Sequence, residues 1–93
     1  MNGIIRMEKE LDDKIKLFRI IHGVDRIWVS ENGSLYKEPP EDFSGKSLNW
    51  HENGNKRYEW DYKNGRLHGK SLGWWENGKL QYEYNYKNGE QIK

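Results

Sequence analysis

From Leu48 to Tyr86 the large apolar residues fall on alternate positions, interrupted at fixed intervals by Asn-Gly pairs. Tyr58, Trp60 and Tyr62 alternate with Glu59 and Asp61, and Tyr82, Tyr84 and Tyr86 alternate with Glu83 and Asn85. A period of two sends successive side chains to opposite faces, so each run reads as a half-buried strand. Asn-Gly between such runs predicts tight hairpin turns, because both residues tolerate positive φ. One doublet breaks the alternation. Trp74 and Trp75 are neighbours, so each face of that strand carries a tryptophan.

The pattern is written twice. Ser44–Leu67 and His68–Gln91 align without a gap at an offset of 24, with 14 of the 24 positions identical. A degenerate copy precedes them, in which Gly23, Trp28, Glu31-Asn32-Gly33 and Tyr36-Lys37-Glu38 resemble the first half of a unit. Pro39-Pro40 then replaces the second half, and two prolines disfavour a paired central strand, so the ladder should be interrupted there. The organisation expected is an N-terminal capping segment over 1–21, a degenerate repeat over 22–43, and repeats over 44–67 and 68–91, in one folded domain. Its class is mainly β, an antiparallel single-layer meander of repeated β-hairpins with a short N-terminal helix or capping segment.

Parity selects the turns. A three-residue loop, Glu52-Asn53-Gly54 with a left-handed glycine, pairs Leu48 with Tyr58 and keeps the aromatic residues together. Leu67 and Leu72 differ in parity, so a bulge or bend near His68-Gly69 is required if both face inward. On this register one face carries Leu48, Trp50, Tyr58, Trp60, Tyr62, Leu72, Trp74, Tyr82, Tyr84 and Tyr86. The outer face carries Ser47, Asn49, His51, Arg57, Glu59, Asp61 and Lys63, with Ser71, Gly73, Trp75, Gln81, Glu83, Asn85 and Lys87 from the second unit.

The first 21 residues follow another rhythm. Ile4, Met7, Leu11, Ile15 and Phe18 have helical spacing, with Glu8, Lys9, Asp12 and Asp13 on the other side. Lys14 to Ile21 also reads as a strand leading into Ile27-Trp28-Val29. A short helix or tail up to about Asp13, followed by a strand pair, reconciles the two, and this segment would cap the open sheet.

Composition narrows the function. The chain is 33% hydrophobic and 33% charged, so its core must be thin. Sixteen Lys and Arg balance 15 Asp and Glu, which gives neither the basic stripe of a duplex binder nor the acidic excess of a DNA mimic. No nucleic-acid partner is expected. The absence of cysteine excludes disulfide and thiolate chemistry. No run approaches the roughly 20 apolar residues of a membrane span, so no membrane association is expected and a soluble, cytoplasmic protein is the default. The histidines His22, His51 and His68 lack metal-ligand spacing, the glycines sit in turns rather than in a phosphate cradle, and a thin sheet encloses little volume. No catalytic residue, metal ligand or cofactor is assigned.

The double unit, with its "ENG" loops, "Y-E-x-x-Y-K-N-G" and a glycine soon after the second turn, resembles the bacterial MORN-repeat variant. That variant also occurs in small antitoxin-like proteins. The resemblance covers Ser44 to Gln91 well and His22 to Glu38 weakly. It implies a twisted single-layer sheet of hairpins with one aromatic-rich face. Gly45, Asn53, Gly54, Glu59, Tyr62, Asn64 and Gly65, with Gly69, Asn77, Gly78, Glu83, Tyr86, Asn88 and Gly89, carry over as architecture. Two departures stand out: Ser47 and Ser71 replace the aromatic usual two residues after the unit glycine, and Trp60 and Tyr84 replace a small residue.

The function expected is a non-catalytic protein-binding module that inhibits or neutralises a partner protein, a toxin or defence enzyme, by surface occlusion, in a bacterial or phage setting. The alternative is a structural scaffold or membrane-proximal repeat protein. Trp75, set in a polar rim with His51, Glu59, Asp61 and Glu83, is the partner-binding candidate, since a tryptophan among polar groups is a common interface anchor. The identity of the partner and the oligomeric state are left open.

Overall fold

The computed structural model describes the backbone of residues 3–92 and the side chains of residues 9–92. One helix, α1 (Gly3–His22), precedes seven strands: β1 (Arg26–Ser30), β2 (Leu35–Tyr36), β3 (Gly45–Trp50), β4 (Lys56–Lys63), β5 (Arg66–Trp74), β6 (Leu80–Lys87) and β7 (Glu90–Ile92). They form a single antiparallel sheet in the order β2-β1-β3-β4-β5-β6-β7. From β3 onward it is the expected meander. At its start, β2 lies outside β1, and the chain returns through Pro39-Pro40 so that β3 pairs with β1 instead. That is the interruption the prolines predicted.

The N-terminal segment differs from expectation. Lys14 to Ile21 is helix, not strand, and α1 runs unbroken to His22. The stop signal is Gly23, which takes φ +63, with the Val24 amide donating to the Arg19 carbonyl at 3.2 Å. This is the glycine C-cap that ends many helices, here followed by an apolar residue that packs inward. Nor does the helix cap an end of the sheet. Its Leu11, Ile15 and Phe18 face pack flat on Ile27, Val29 and Leu48 of β1 and β3, with Val24, Leu35 and Trp50 around them. Ile4, Met7 and Glu8, part of the expected helical face, lie outside the described side chains.

The turns match their sequences. Asn64-Gly65 and Asn88-Gly89 are two-residue turns with both residues at positive φ (50° and 82°, 50° and 88°). Glu52-Asn53-Gly54 and Glu76-Asn77-Gly78 are three-residue loops closed by the glycine amide donating back to His51 and Trp75. The loop length was read correctly, but the register was not. Leu48 pairs with Glu59, not Tyr58, because the ladder slips by one between Trp50↔Lys56 and Asn49↔Tyr58, leaving Arg57 as an extra residue. Gln81 is its counterpart between Trp74↔Leu80 and Gly73↔Tyr82. One extra residue exchanges the faces of everything beyond it.

The expected aromatic stripe is therefore divided between two faces. Leu48 and Leu72 share the helix side with Ile27, Glu59 and Glu83, along the row Ile27↔Leu48↔Glu59↔Leu72↔Glu83. The other face carries the row Trp28↔Ser47↔Trp60↔Ser71↔Tyr84 and, beside it, Asn49↔Tyr58↔Gly73↔Tyr82. Ser47, Asn49, Ser71 and Gly73 are accordingly not an exposed outer face but are buried beneath rings. The two departures from the family pattern compensate each other. Small residues at Ser47 and Ser71 sit across the ladder from large ones at Trp60 and Tyr84.

The bend expected at His68-Gly69 is present. Between Tyr62↔Leu67 and Trp60↔Ser71, three residues of β5 stand against Asp61 alone, and Gly69 takes φ +106. Leu67 and Leu72 consequently point to opposite faces, Leu67 to the aromatic one.

Candidate partner-binding surface

The sheet's aromatic face closes at one end and opens at the other. At the closed end Trp28 meets Phe43 edge-on (ring centroids 5.4 Å, 86°) and Tyr62 (5.0 Å, 64°). Phe43, carried in by the Pro39-Pro40 connection, is only 4% exposed and fills the place that Leu67 takes 24 residues later. Arg26 lies over both Trp28 (4.7 Å) and Tyr58 (5.7 Å), so its charge rests on two ring faces. Burial pushes the Tyr58 and Tyr62 hydroxyls above the usual phenol range, with Arg26 opposing it in both.

Beyond Tyr58 the face is uncovered, since α1 lies on the other side. Tyr58 and Trp60 stack at 4.0 Å and 14°, Tyr82 and Tyr84 at 5.3 Å and 17°. The Trp60 indole N–H donates to the Tyr82 hydroxyl at 2.9 Å, across β5. Leu67, Ser71 and Tyr86 complete a shallow depression with Trp60, Tyr82 and Tyr84. A row of rings locked to one another loses little freedom on meeting a partner, which favours binding by a preorganised surface.

The opposite face carries ion pairs beside the exposed Leu80 and Ile92. Lys46 meets Asp61 at 2.7 Å and Glu59 at 3.2 Å; Lys56 meets Glu59 at 2.8 Å; Lys70 meets Glu83 at 3.4 Å. Burial alone would raise the Glu59 pKa, but the ion pairs with Lys56 and Lys46 outweigh it and hold the carboxyl below its ordinary value. For Lys46, burial is likewise outweighed by Asp61 and Glu59, and its pKa is raised. A depressed carboxylate stabilises the fold above its unfolded pKa of about 4.5 and loses that contribution as pH falls through the folded value. Glu59→Gln should therefore be less stable than the parent at pH 7, by on the order of 1 kcal/mol or less. In urea melts the difference should vanish as pH drops below the folded Glu59 pKa. A gap that persisted at pH 2 would mean packing, not charge, carries the effect.

The five sequence-predicted binding residues are thus not one surface. Glu59, Asp61 and Glu83 belong to the helix side and are engaged by lysines. His51 and Trp75 meet at the loop end of the sheet, where they line an open groove with Arg57, Glu76, Asn77, Lys79 and Gln81. The two ENG loops are tied there. The His51 Nε2–H donates to the Trp74 carbonyl at 2.8 Å, and Asn53 and Asn55 side chains both donate to the Glu76 carbonyl at 2.9 and 2.8 Å. With Nε2 as donor, the His51 Nδ1 is free to accept from Arg57 at 3.4 Å. Trp75 remains 53% exposed beside these contacts.

Repeating hydrogen bonds define the unit at the opposite end as well. Gly65 and Gly89 amides donate to the Phe43 and Leu67 carbonyls, each at 2.8 Å, and Asn64 and Asn88 amides donate to the Ser44 hydroxyl and to His68 Nδ1. Each hairpin is pinned to the one before it at the same two places. Residues 44–64 and 67–88 match the MORN repeat variant family. The two long units are thus similar to MORN repeat variants. No curated protein and no solved structure gives a significant match to the chain. The matched units account for β3 to β6, while β1 and β2 repeat the loop Glu31-Asn32-Gly33 without the slip that follows it in the later units. Among the described residues no three His, Cys, Asp or Glu side chains converge, and no helix is long and apolar enough to cross a membrane.

The open aromatic floor is the feature that sequence reasoning set aside as simply the buried face. The signal was present in Ser47, Ser71 and Gly73. Small residues between aromatic strands mean that the rings lie over the sheet itself rather than against a second layer.

Proposed function

We propose that this chain is a non-catalytic protein-binding module, and that it acts by covering a functional surface of its partner. The observation that carries the reading is the half-exposed row of Tyr58, Trp60, Tyr82, Tyr84 and Tyr86, with Leu67 beside it, on the face opposite α1. A half-exposed aromatic face of this kind supplies contact area at low entropic cost, and rigid Tyr and Trp side chains dominate interface energetics. MORN repeats are generally binding modules without catalysis, which supports the same reading. Inhibition of a toxin or defence enzyme by occlusion in a bacterial or phage cytoplasm is the setting that fits a small, nearly neutral module with no chemistry of its own.

Tyr84 is 44% exposed, so it can be shortened with little effect on folding. Capture from host lysate with the tagged protein should yield one stoichiometric partner. Tyr84→Ala should weaken that complex at least about tenfold, the range of an interface hot spot, with the melting temperature nearly unchanged. Trp75→Ala tests the loop-end groove separately. A partner retained by Tyr84→Ala and lost with Trp75→Ala would move the binding surface to that groove. If the partner is an enzyme, its activity should fall when the parent protein is added and recover with the weakened variant. A stoichiometric partner whose activity is unaffected would remove the inhibitory part of the proposal.

A further inference from the structure

The charges of the sheet are segregated by face. Strands β3 to β6 contain three carboxylates, Glu59, Asp61 and Glu83, and all three lie on the helix side, paired to lysines. The aromatic face of the same strands carries none. Cations reach it instead. Arg26 lies over Trp28 and Tyr58, and Arg57 and Lys79 line the groove at the loop end. Asp25, just before β1, acts on Tyr58 more weakly than Arg26 does.

The groove belongs to the aromatic face. The ladders run on past β3 and β5, with the His51 and Trp75 amides donating to the Asn55 and Lys79 carbonyls at 2.8 and 2.9 Å. Both side chains therefore follow Asn49 and Gly73 to the aromatic side. Arg57 and Gln81 are the extra residues of the two slipped ladders, and both line the groove. Bulges are over-represented beside active sites, where they re-aim a side chain. Arg57 is held by its Nε–H, which donates to His51 Nδ1 at 3.4 Å. Among the described residues, neither Arg57 nor Lys79 forms an ion pair. Glu76 is the one carboxylate lining the groove, against those two cations, and Trp75 stands 53% exposed beside them.

We infer that the partner offers an acidic segment to this face. Its carboxylates sit on the Arg57 guanidinium and the Lys79 ammonium beside Trp75, and its apolar side chains rest on Tyr82 and Tyr84. A guanidinium with free terminal N–H groups grips a carboxylate through two parallel hydrogen bonds. A face with cations and no strand carboxylate favours such a partner and repels a basic one. This rests on the protein-binding reading and names the chemistry of the partner.

The repeat supplies the variants for the test. Gln81 and Asn55 stand at the positions equivalent to Arg57 and Lys79, so Arg57→Gln and Lys79→Asn remove both charges with side chains the other unit already holds there. Both residues are exposed, so the melting temperature should barely move. The probe is a capped decapeptide alternating glutamate and leucine. It is titrated into the full chain and followed by NMR at the Trp75 indole N–H and the Arg57 Nε–H. It should bind at least about tenfold more tightly than the same peptide with lysine in place of glutamate, and the double variant should bind it at least about tenfold more weakly. Salt should weaken the parent complex more steeply than that of the variant. Equal binding by the two peptides, equal binding by parent and variant, or shifts confined to residues outside the groove would each overturn the inference. So would tighter binding of an oligothymidylate than of the glutamate peptide, which would assign the cations to phosphates. Self-association of the parent that the double variant loses would overturn it too, by assigning the face to a second copy. For a protein captured from lysate, release by Tyr84→Ala but not by the double variant would remove the acidic segment and leave the proposed function standing.

Discussion

Gly45→Ala should unfold this protein or come close to it. Gly45 begins β3, and its φ of +149 lies where an L side chain is strained. A Cβ at that position would sit 2.1 Å from the Val29 carbonyl oxygen, 2.8 Å from Ser30 Cα and 2.9 Å from the Phe43 ring. Two of those three neighbours are backbone of β1, so no rotamer change relieves the contact. β1 and β3 must separate, and that pairing is the floor on which α1 rests. Strain and steric overlap each cost about 1–3 kcal/mol, so a loss of about 3 kcal/mol or more is expected. Gly69→Ala is the control. The repeat places it at the equivalent position with φ +106, but its Cβ would meet the Asp61 side chain, at 3.0 Å, rather than backbone. A carboxylate can swing aside, so the loss should be smaller, about 1–2 kcal/mol. Urea denaturation followed by far-UV circular dichroism measures both. Equal losses would mean that the close approach of β1 to β3 is not what Gly45 is there for.

Every connection that the sequence marked with Asn-Gly is a hairpin turn, and Glu52-Asn53-Gly54 has the three residues expected of it, because the demand for positive φ is local and few residues satisfy it. The faces were harder to read. Arg57 and Gln81 look like ordinary polar residues of an alternating strand, yet each is the extra residue of a slipped ladder. A one-residue slip leaves no mark on the alternation of Tyr58, Trp60 and Tyr62 itself. It shows only when those rings are matched against Ser47, Ser71 and Gly73 on the neighbouring strands. The helix was misjudged for a different reason. Lys14 to Ile21 contains enough Ile and Phe for either element, and what decides is Gly23, which was counted as a repeat glycine and is in fact the helix stop.

The site was legible in pieces. Trp75 and His51 do line one groove, since the offset of 24 makes them equivalent and the two ENG loops are neighbours. Glu59, Asp61 and Glu83 were assigned to that surface by parity, and the slip carried them to the other face, where lysines hold them.

Ile27→Ala is the second change expected to have a large effect, and it tests how a thin sheet is held to its helix. Ile27 is fully buried, at 0% exposure, and belongs to the cluster that joins α1 to β1 and β3. The residues around it, Ile15, Val29 and Leu48, are each 7% exposed, so few other buried aliphatic contacts exist to compensate. Truncating a buried isoleucine costs about 2–5 kcal/mol, the spread depending on how far the surroundings collapse into the cavity. Here collapse is limited from below by hydrogen-bonded backbone, while α1 above can shift. About 3–4 kcal/mol is therefore expected, against a total of roughly 5–14 kcal/mol for a chain of this length. The melting temperature should fall by roughly 12–30 °C. The spatial distribution of the damage is the sharper readout. Amide exchange should accelerate first in α1 and β1, with β4 to β6 keeping their protection, because the repeats are joined by their own ladders and loop hydrogen bonds rather than by the helix. Uniform loss of protection across all seven strands would instead mean that the helix-bound end and the two repeat units unfold as a single cooperative body.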